Sequence, residues 1–329
     1  MKVETLDRLE AIGPASWHEL HQSARLTAPF LAFSWQREWV RAFGEGRRVE
    51  LRAVSDADGR LVAVLPLYEE SPGLLRLIGG TDVSDYLDLV AIAGREEEAW
   101  TALLAAHADD VVLDLHCVPE QSPTVAVLPQ LASLAGLAAT TEVEERCPVL
   151  MLPATWDAYL AGLNSKHRHE MQRKIRRLTR EMPDARVTSA RTPDEIATRI
   201  GDFVDLHRRS RTGKAKFMDA RMEDFFRGAI RALADEGRAR LWFLDTTDGP
   251  LASFVTLEWA GTVGLYNSGF HPDHAALSPG LVLLARVIQD AIERRVARFD
   301  FLRGEERYKY EFGPKPEPVY TVRVSRSAT

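Results

Sequence analysis

Residues 300–313 read Asp-Phe-Leu-Arg-Gly-Glu-Glu-Arg-Tyr-Lys-Tyr-Glu-Phe-Gly, and this stretch says more about the fold than any other part of the chain. It follows an apolar segment and combines an acid (Asp300), a glycine (Gly304) and an aromatic–lysine pair (Tyr308 and Lys309). In α/β folds, side chains at strand ends and in the loops beyond them often serve chemistry rather than packing. The local pattern fits a strand followed by a solvated, charged turn equally well.

The bulk composition is that of a globular protein with room for about two domains. The chain has 329 residues, of which 45% are hydrophobic and 27% charged, and its formal net charge is −6. This negative balance argues against a surface that binds nucleic acid or anionic membranes as a whole.

Cysteine content and the apolar runs bear on the compartment. The two cysteines, Cys117 and Cys147, give no disulfide framework, which indicates a reducing environment. Residues 1–10 are charged and lack the apolar core of a signal peptide. Because no apolar run approaches the ~18 residues of a membrane span, the sequence predicts a cytoplasmic protein without a transmembrane segment.

The first half of the sequence predicts a compact α/β unit. A helix is expected from Pro14, and a second over 34–43, where Ser34 would be the N-cap. An Asp-Gly turn at 56–59 then predicts a hairpin. The further elements are strands at 49–54, 61–67, 86–91 and 111–116 and helices at 96–107 and 123–135.

The second half repeats this order of elements. Its predicted helices are 155–181, 193–210, 221–236 and 281–296, and its strands are 240–245, 251–259, 263–270, 299–302 and 319–324. The three strands between 240 and 270 should be antiparallel. We therefore expect an α/β (α+β) protein with two domains, 1–150 and 151–329, which separate near residues 147–153.

The helical segment 164–180 carries seven Lys or Arg residues and one Glu. Met171, Ile175, Leu178 and Met182 fall on one face and should pack inward. The remaining charges are either a solvated face, as such runs usually are, or a site for an anionic partner. That partner would be a phosphate, an anionic lipid head group, a nucleic acid or an acidic surface of the other domain.

His271 ends the predicted strand 263–270 and is a candidate base. With Asp273 and His274 it also suggests a metal site, but two histidines without a third and fourth ligand in register do not define one. We therefore predict no metal. The sequence also lacks the Gly-x-Ser-x-Gly, Gly-x-x-x-x-Gly-Lys-Ser/Thr and Gly-x-Gly-x-x-Gly motifs, so covalent catalysis is not expected.

The 300–309 segment resembles the C-terminal signature of the CelD/BcsL-type acyltransferases, a GNAT-superfamily group related to the Fem peptidyltransferases. The similarity is strongest from about 150 to 313 and looser over the first half. Two further motifs carry it: Tyr-x-x-Gly at 266–269, followed by Ser-Pro-Gly at 278–280, and a Ser-Lys-x-Arg pattern in the basic segment at 165–174. The resemblance implies tandem GNAT-like domains, with a mixed, mostly antiparallel sheet flanked by helices.

The same resemblance implies an N-acyltransferase that would move an acyl group from acyl-CoA to a primary amine of a sugar, lipid or polysaccharide precursor. Acyl-CoA would then be a co-substrate, and no permanently bound cofactor is expected. Ser278, Gly280 and Leu281 would receive the pyrophosphate at a helix N-terminus, and Gly304 is assigned to the same site. The usual GNAT loop is longer than the Ser-Pro-Gly found in this chain.

The resemblance also suggests catalytic roles. Lys309 would place positive charge near the oxyanion or a phosphate, and Tyr308 or Tyr266 would protonate the departing sulfur. Asp300 would orient Lys309 or accept the amine proton. The residues assigned to substrate binding are Lys166, Arg168, Arg173 and His271.

Two other classes of function remain open from the sequence. One is an aminoacyl-tRNA-dependent, Fem-like transferase that uses the basic segment 164–180 as its RNA contact. The other is a non-catalytic protein that binds an anionic ligand through the same segment. The residues leave the acyl length, the acceptor and the donor carrier undecided, because a fold resemblance does not choose among them.

Overall fold

The computed structural model describes residues 1–108, 110–210 and 216–326. The chain forms two compact units: the first contains Met1–Arg146 and the chain from Glu317 onward, and the second contains Cys147–Pro316. The sequence prediction had placed the chain beyond Glu317 with the second half. It belongs to the first unit because its valines pair with a strand there, Val319 opposite Pro119 and Val324 opposite Leu113.

The first unit contains a mostly antiparallel sheet. Its strands are β1 (Lys2–Leu6), β2 (Val49–Ser55), β3 (Leu61–Ser71), β4 (Leu74–Leu77), β5 (Val90–Ala91), β6 (Val112–Pro119), the first part of β7 (Leu137–Met151) and most of β13 (Lys315–Arg326). The order is β1-β2-β3-β4-β6-β13, with β5 beside β3, and the β4–β6 pair is parallel whereas the other pairs described among these strands are antiparallel. The hairpin predicted around the Asp-Gly turn is confirmed as β2 and β3.

The helices of the first unit are α1 (Pro14–Gln22), α2 (Phe33–Phe43), α3 (Gly80–Val83), α4 (Glu96–Ala105) and α5 (Pro123–Leu134). Pro14 opens α1, as predicted. Ser34 is not the N-cap of α2, because the helix begins one residue earlier and Ala32 precedes it without a side-chain cap. Trp17, Trp35 and Trp100 are fully buried and anchor these helices to the core.

The strand predicted at 86–91 is present only as β5. The residues before it are held by side-chain hydrogen bonds rather than by a ladder: Asp88 accepts from Leu89 N at 2.8 Å, from Thr124 Oγ1 at 2.6 Å and from Ser122 Oγ. Burial raises the pKa of Asp88 to about 6, although these bonds oppose the shift. An apolar pattern cannot reveal such an anchor, since it depends on a distant helix start.

The second unit contains the end of β7 and β8 (Arg186–Ala190), β9 (Ala239–Thr246), β10 (Gly249–Trp259), β11 (Thr262–Phe270) and β12 (Arg298–Asp300). Its strand order is β7-β12-β11-β10-β9-β8. The three strands predicted between 240 and 270 are confirmed as the antiparallel β9, β10 and β11. The pair formed by β11 and β12 is parallel.

The helices of the second unit are α6 (Trp156–Gly162), α7 (Ser165–Glu181), α8 (Pro193–Ser210), α9 (Ala220–Asp235), α10 (Pro279–Glu293) and α11 (Arg307–Tyr310). The single helix predicted at 155–181 is wrong, because the chain breaks into α6 and α7. Asn164 starts the second of these as an N-cap whose side chain accepts from Lys166 N at 2.9 Å.

The sheet of the second unit carries helices on both faces. On one face, α7 and α10 pack together over a buried cluster that includes Met171, Leu178, Phe254 and Ile288. On the other, α8 packs on β11 so closely that a Cβ at Gly269 would lie 2.4 Å from His207 N. The inward face predicted for the basic helix is confirmed, since Met171 and Leu178 are buried and Ile175 and Met182 pack partly buried against the same cluster.

Across the described ranges, no helix is both long enough and apolar enough to cross a membrane.

Candidate active site

The strands β11 and β12 pair over a very short distance. Their parallel ladder comprises Thr262 with Arg298, Val263 with Phe299 and Gly264 with Asp300. β11 then continues to Phe270, whereas β12 ends at Asp300 and the polypeptide leaves the sheet there. Beyond Gly264, β11 therefore has no hydrogen-bonded partner strand on the side of β12.

A cavity of about 260 Å³ lies along this part of β11. Its walls come from β10, β11, the start of α10 and the segment that follows β12. Most of them are apolar or small, and among the described residues that line the cavity Glu306 alone carries a charge. The lining residues are Phe254, Ser268, Gly269, Phe270, Ala275, Ser278, Pro279, Gly280, Leu281, Glu306 and Tyr308.

The N-terminus of α10 forms one wall and includes the predicted donor residues Ser278, Gly280 and Leu281. Pro279 occupies the first helical turn, and Ser278 precedes it with φ of 52° and no side-chain cap bond. The first N–H groups of a helix have no intrahelical partners, and the helix dipole makes this end positive. A Cβ at Gly280 would meet nothing within 4 Å, so the backbone is open there and suits an anionic group.

Lys309 does not line this cavity. Its side chain is buried, and its Nζ donates to the carbonyl oxygens of Arg303 at 2.8 Å and Gly304 at 2.9 Å, with that of Leu302 at 3.5 Å. The Glu306 carboxylate lies 2.8 Å from the same nitrogen. The ammonium is thus surrounded by acceptors of its own loop, and the predicted direct role in catalysis stays a prediction.

The loop that surrounds this ammonium contains unusual backbone angles. Leu302 has φ of 55° and Gly304 has φ of 100°. Asp300 is buried and accepts from Leu302 N at 2.8 Å, which holds the first of these residues in place. A Cβ at Gly304 would lie 2.7 Å from Glu306 Oε2. Asp300 and Gly304 therefore shape the loop, and neither lines the cavity.

Glu306 is the charged residue among the described lining residues, and the sequence did not single it out. Its side chain is 49% exposed and reaches both the cavity and Lys309 Nζ. Its neighbour Glu305 instead accepts from Tyr310 Oη at 2.8 Å and does not line the cavity. The two adjacent glutamates look alike in the sequence, and only the path of the loop distinguishes them.

The two predicted tyrosines are in different places. Tyr308 lines the cavity. Tyr266 lies at a β-bulge, because β10 pairs Val255 with Asn267 and Thr256 with Leu265 and leaves Tyr266 without an opposite residue. Its ring stacks on Phe226 of α9 with centroids 5.5 Å apart. Tyr266 therefore packs on the helix side and is not part of the cavity wall.

Much of the positive charge of α7 is paired with acids. Arg173 donates to Glu170 at 2.7 Å, which holds the pKa of that carboxyl at about 2. Lys174 lies 3.8 Å from Glu170 and 3.7 Å from Glu311. The predicted substrate residues Lys166, Arg168 and Arg173 do not line the cavity. These pairings favour the solvated-face interpretation for most of this helix.

Arg177 pairs with an acid of its own helix and also contacts the turn before α10. Its guanidinium bonds Glu181 at 2.9 Å and also donates to the carbonyl oxygen of Ala276 at 3.2 Å. Ala276 belongs to the turn that leads into α10, beside the lining residue Ala275. The Arg177 guanidinium therefore lies near the N-terminus of α10, the helix end that suits an anionic group.

His271 follows β11 outside the cavity wall. Its Nδ1 lies 3.8 Å from an Asp273 carboxylate oxygen, and its ring contacts that of His274 at 5.2 Å between centroids. Within the part of the chain that the structure describes, no three His, Cys, Asp or Glu side chains are grouped to hold a metal.

The order of strands and helices is that of a GNAT-like fold, and comparisons with known proteins agree with it. Residues 165–310 match the family model of the acetyltransferase (GNAT) domain. No curated protein sequence matches the chain significantly.

Solved structures show the same fold across the whole chain. FemX aligns with a TM-score of 0.63 and 12% identity over 97% of this chain and 96% of its own. L-PGS from Bacillus licheniformis aligns with a TM-score of 0.56 and 12% identity over 85% of each chain. A tandem GNAT protein from the clavulanic acid biosynthesis pathway aligns with a TM-score of 0.51 and 13% identity over 100% of both. The predicted tandem GNAT-like, mixed α/β fold is confirmed.

Proposed function

We propose that this protein is an N-acyltransferase that moves an acyl group from an acyl-CoA thioester to a primary amine. The observation that carries the proposal is the cavity between β11, the N-terminus of α10 and Glu306. It joins an anion-binding helix end, an apolar wall and one carboxylate, which are the three features that a phosphorylated acyl donor and an amine require. The signature at 300–309 supports membership of the CelD/BcsL-type enzymes. The cysteine content supports a cytoplasmic location.

The donor would occupy the cavity along β11. The backbone N–H groups of Gly280 and Leu281 would bind the pyrophosphate, with Arg177 beside them as a counter-charge. Phe254, Phe270 and the side chain of Leu281 would then bury the acyl end. Burial of one CH₂ contributes about 0.8 kcal/mol, which corresponds to about fourfold in affinity.

The acceptor amine would reach the thioester from the side of Glu306 and Tyr308. An amine attacks a thioester only in its neutral form, and the departing thiolate needs a proton. Tyr308 lines the cavity, and its hydroxyl would supply this proton. A wall with a carboxylate and no cation favours a cationic acceptor over an anionic one.

Thermal shift measurements with CoA thioesters of increasing chain length test the proposal. A ligand at 100 times its Kd stabilises the folded state by about 2.7 kcal/mol, so melting temperature should rise by several degrees. The rise should grow with acyl length until the cavity is full. Release of CoA with a panel of primary amines then tests the transfer itself.

A matched pair of glycine variants locates the donor. Gly280→Val should abolish the shift because its side chain enters the cavity, whereas Gly162→Val, at a helix end away from that cavity and also in open space, should keep it. If no thioester shifts the melting temperature but aminoacyl-tRNA binds, the Fem-like alternative replaces this proposal. If only simple polyanions bind, the protein is a non-catalytic binder.

A further inference from the structure

Lys309 has no donor left for a substrate. An ammonium has three N–H bonds, and four acceptors lie within 3.5 Å of this one: three carbonyl oxygens of residues 302–304 and the carboxylate of Glu306. To reach an oxyanion in the cavity, the lysine would have to release these partners. The structure therefore separates the charge of Lys309 from the place where the reaction would occur.

Glu306 stands between Lys309 and the cavity. Its carboxylate occupies the space that a Cβ of Gly304 would fill, so the glycine makes room for it. Its ion pair with Lys309 holds it on one side, and the cavity lies on the other. Because the side chain is 49% exposed, a proton taken up there has a path to water.

We infer that Glu306 is the proton acceptor for the amine substrate, and that Lys309 is a positioning residue that holds Glu306 at the cavity wall. The inference rests on the proposed acyl transfer. The ammonium form of the amine gives one proton to the Glu306 carboxylate. Its nitrogen lone pair then forms the C–N bond with the thioester carbon, and the C–S bond breaks.

The proton balance closes without a further reactant. The nitrogen loses its second proton to the departing thiolate through Tyr308 or water, which yields the amide and free CoA. The proton on Glu306 passes to solvent and the carboxylate is restored. The net reaction releases one proton for each protonated amine that is acylated.

Two small amines of nearly equal size test this role without knowledge of the natural acceptor. Methylamine is protonated at neutral pH and needs a base, whereas hydroxylamine is already neutral. The measurement is the rate of CoA release from the thioester that gives the largest thermal shift. Glu306→Gln should lower kcat/KM for methylamine by about 10²-fold or more, within the usual range for a general base, and for hydroxylamine by less than about tenfold.

Glu305→Gln is the matched control, because Glu305 is adjacent but lies outside the cavity wall. It should leave both rates unchanged. Glu306→Gln should keep the melting temperature and the thermal shift by the donor, so that its loss is in kcat. Equal losses for both amines, or no loss for either, would overturn the inference even though the donor still binds.

Lys309→Met separates positioning from direct catalysis. A positioning role predicts a lower melting temperature and a loss that is larger for methylamine than for hydroxylamine. A direct role at the oxyanion predicts an equal loss for both amines at unchanged stability, which would overturn the assignment of Lys309. If the unaltered chain binds no acyl-CoA thioester, the proposed function fails and this inference fails with it.

Discussion

The Nζ atom of Lys309 lies 2.9 Å from the carbonyl oxygen of Gly304 and donates a hydrogen bond to it. This bond joins α11 to the loop that follows β12. Since Leu302 and Gly304 both have positive φ, the loop is held in an uncommon conformation by the groups around it. Lys309 therefore stabilises the shape of this loop through its ammonium group.

The first prediction concerns the stability that Lys309 provides. Its replacement by Met should lower the free energy of unfolding by about 1.5–3 kcal/mol, the range for a hydrogen bond to a charged group. The sequence alone gives no sign that the ammonium is enclosed by carbonyl oxygens. Urea denaturation at neutral pH measures the difference. An unchanged midpoint would show that the loop does not depend on the lysine.

Gly304→Ala should impair the site by moving Glu306. The new Cβ would lie 2.7 Å from the carboxylate at a residue with φ of 100°, so we expect a loss of about 1–3 kcal/mol in stability and a strong fall in kcat. Gly249→Ala is the control, because Gly249 also has positive φ, at 122°, but has nothing within 4 Å of its added Cβ. It should lose stability and keep its kcat. The same fall in kcat for both variants would mean that strain, and not the carboxylate, is responsible.

The structure also shows which elements could be predicted from the sequence. The hairpin at 49–67 and the start of α10 were predictable, because Asp-Gly and Ser-Pro-Gly act through their own backbone preferences. β7 was missed because most of its residues between 138 and 146 are exposed or partly exposed and polar, without the alternation that marks a half-buried strand.

The candidate site was predictable from the sequence only in part. Ser278, Gly280, Leu281 and Tyr308, to which the family resemblance assigned roles, line one cavity. Glu306 was not predicted because its position depends on positive φ at Leu302, and a leucine gives no sequence signal for that conformation. The charge surplus of α7 suggested an anionic ligand. The structure instead pairs some of these cations with acids of α7 itself and with Glu311, which is distant in sequence.

Two arginines on α7 should behave differently. Arg177→Ala should raise the Kd for the acyl-CoA donor about tenfold, equivalent to 1.4 kcal/mol, because Arg177 lies beside the start of α10. Arg173→Ala should leave that Kd unchanged and should hardly alter the stability, because its ion pair with Glu170 is exposed to solvent. Isothermal titration of both variants measures this. A rise in Kd for Arg173→Ala instead would restore the predicted substrate role of Arg173.

A last prediction concerns pH and the first unit. His116 bonds Asp114 at 3.0 Å and lies 3.3 Å from Glu144, and these hydrogen bonds raise its pKa to about 9. Burial alone would raise the pKa of Asp114, but the bonds from His116, Arg323 and Arg76 outweigh it and hold that pKa well below its usual range. The network ties β13 to β6, because Arg323 also bonds Asp114.

The sign of the pH effect follows from the raised pKa of His116. A histidine with a higher pKa in the folded state contributes stability that is fully present below about pH 6.5 and is lost as pH rises through about 9. The melting temperature should therefore fall between pH 7 and pH 10, and His116→Gln should remove most of that fall. His18→Gln, at an exposed histidine that bonds only Gln22 within α1 among the contacts described, should leave it unchanged. A parallel fall in all three proteins would show that His116 is not the group that titrates.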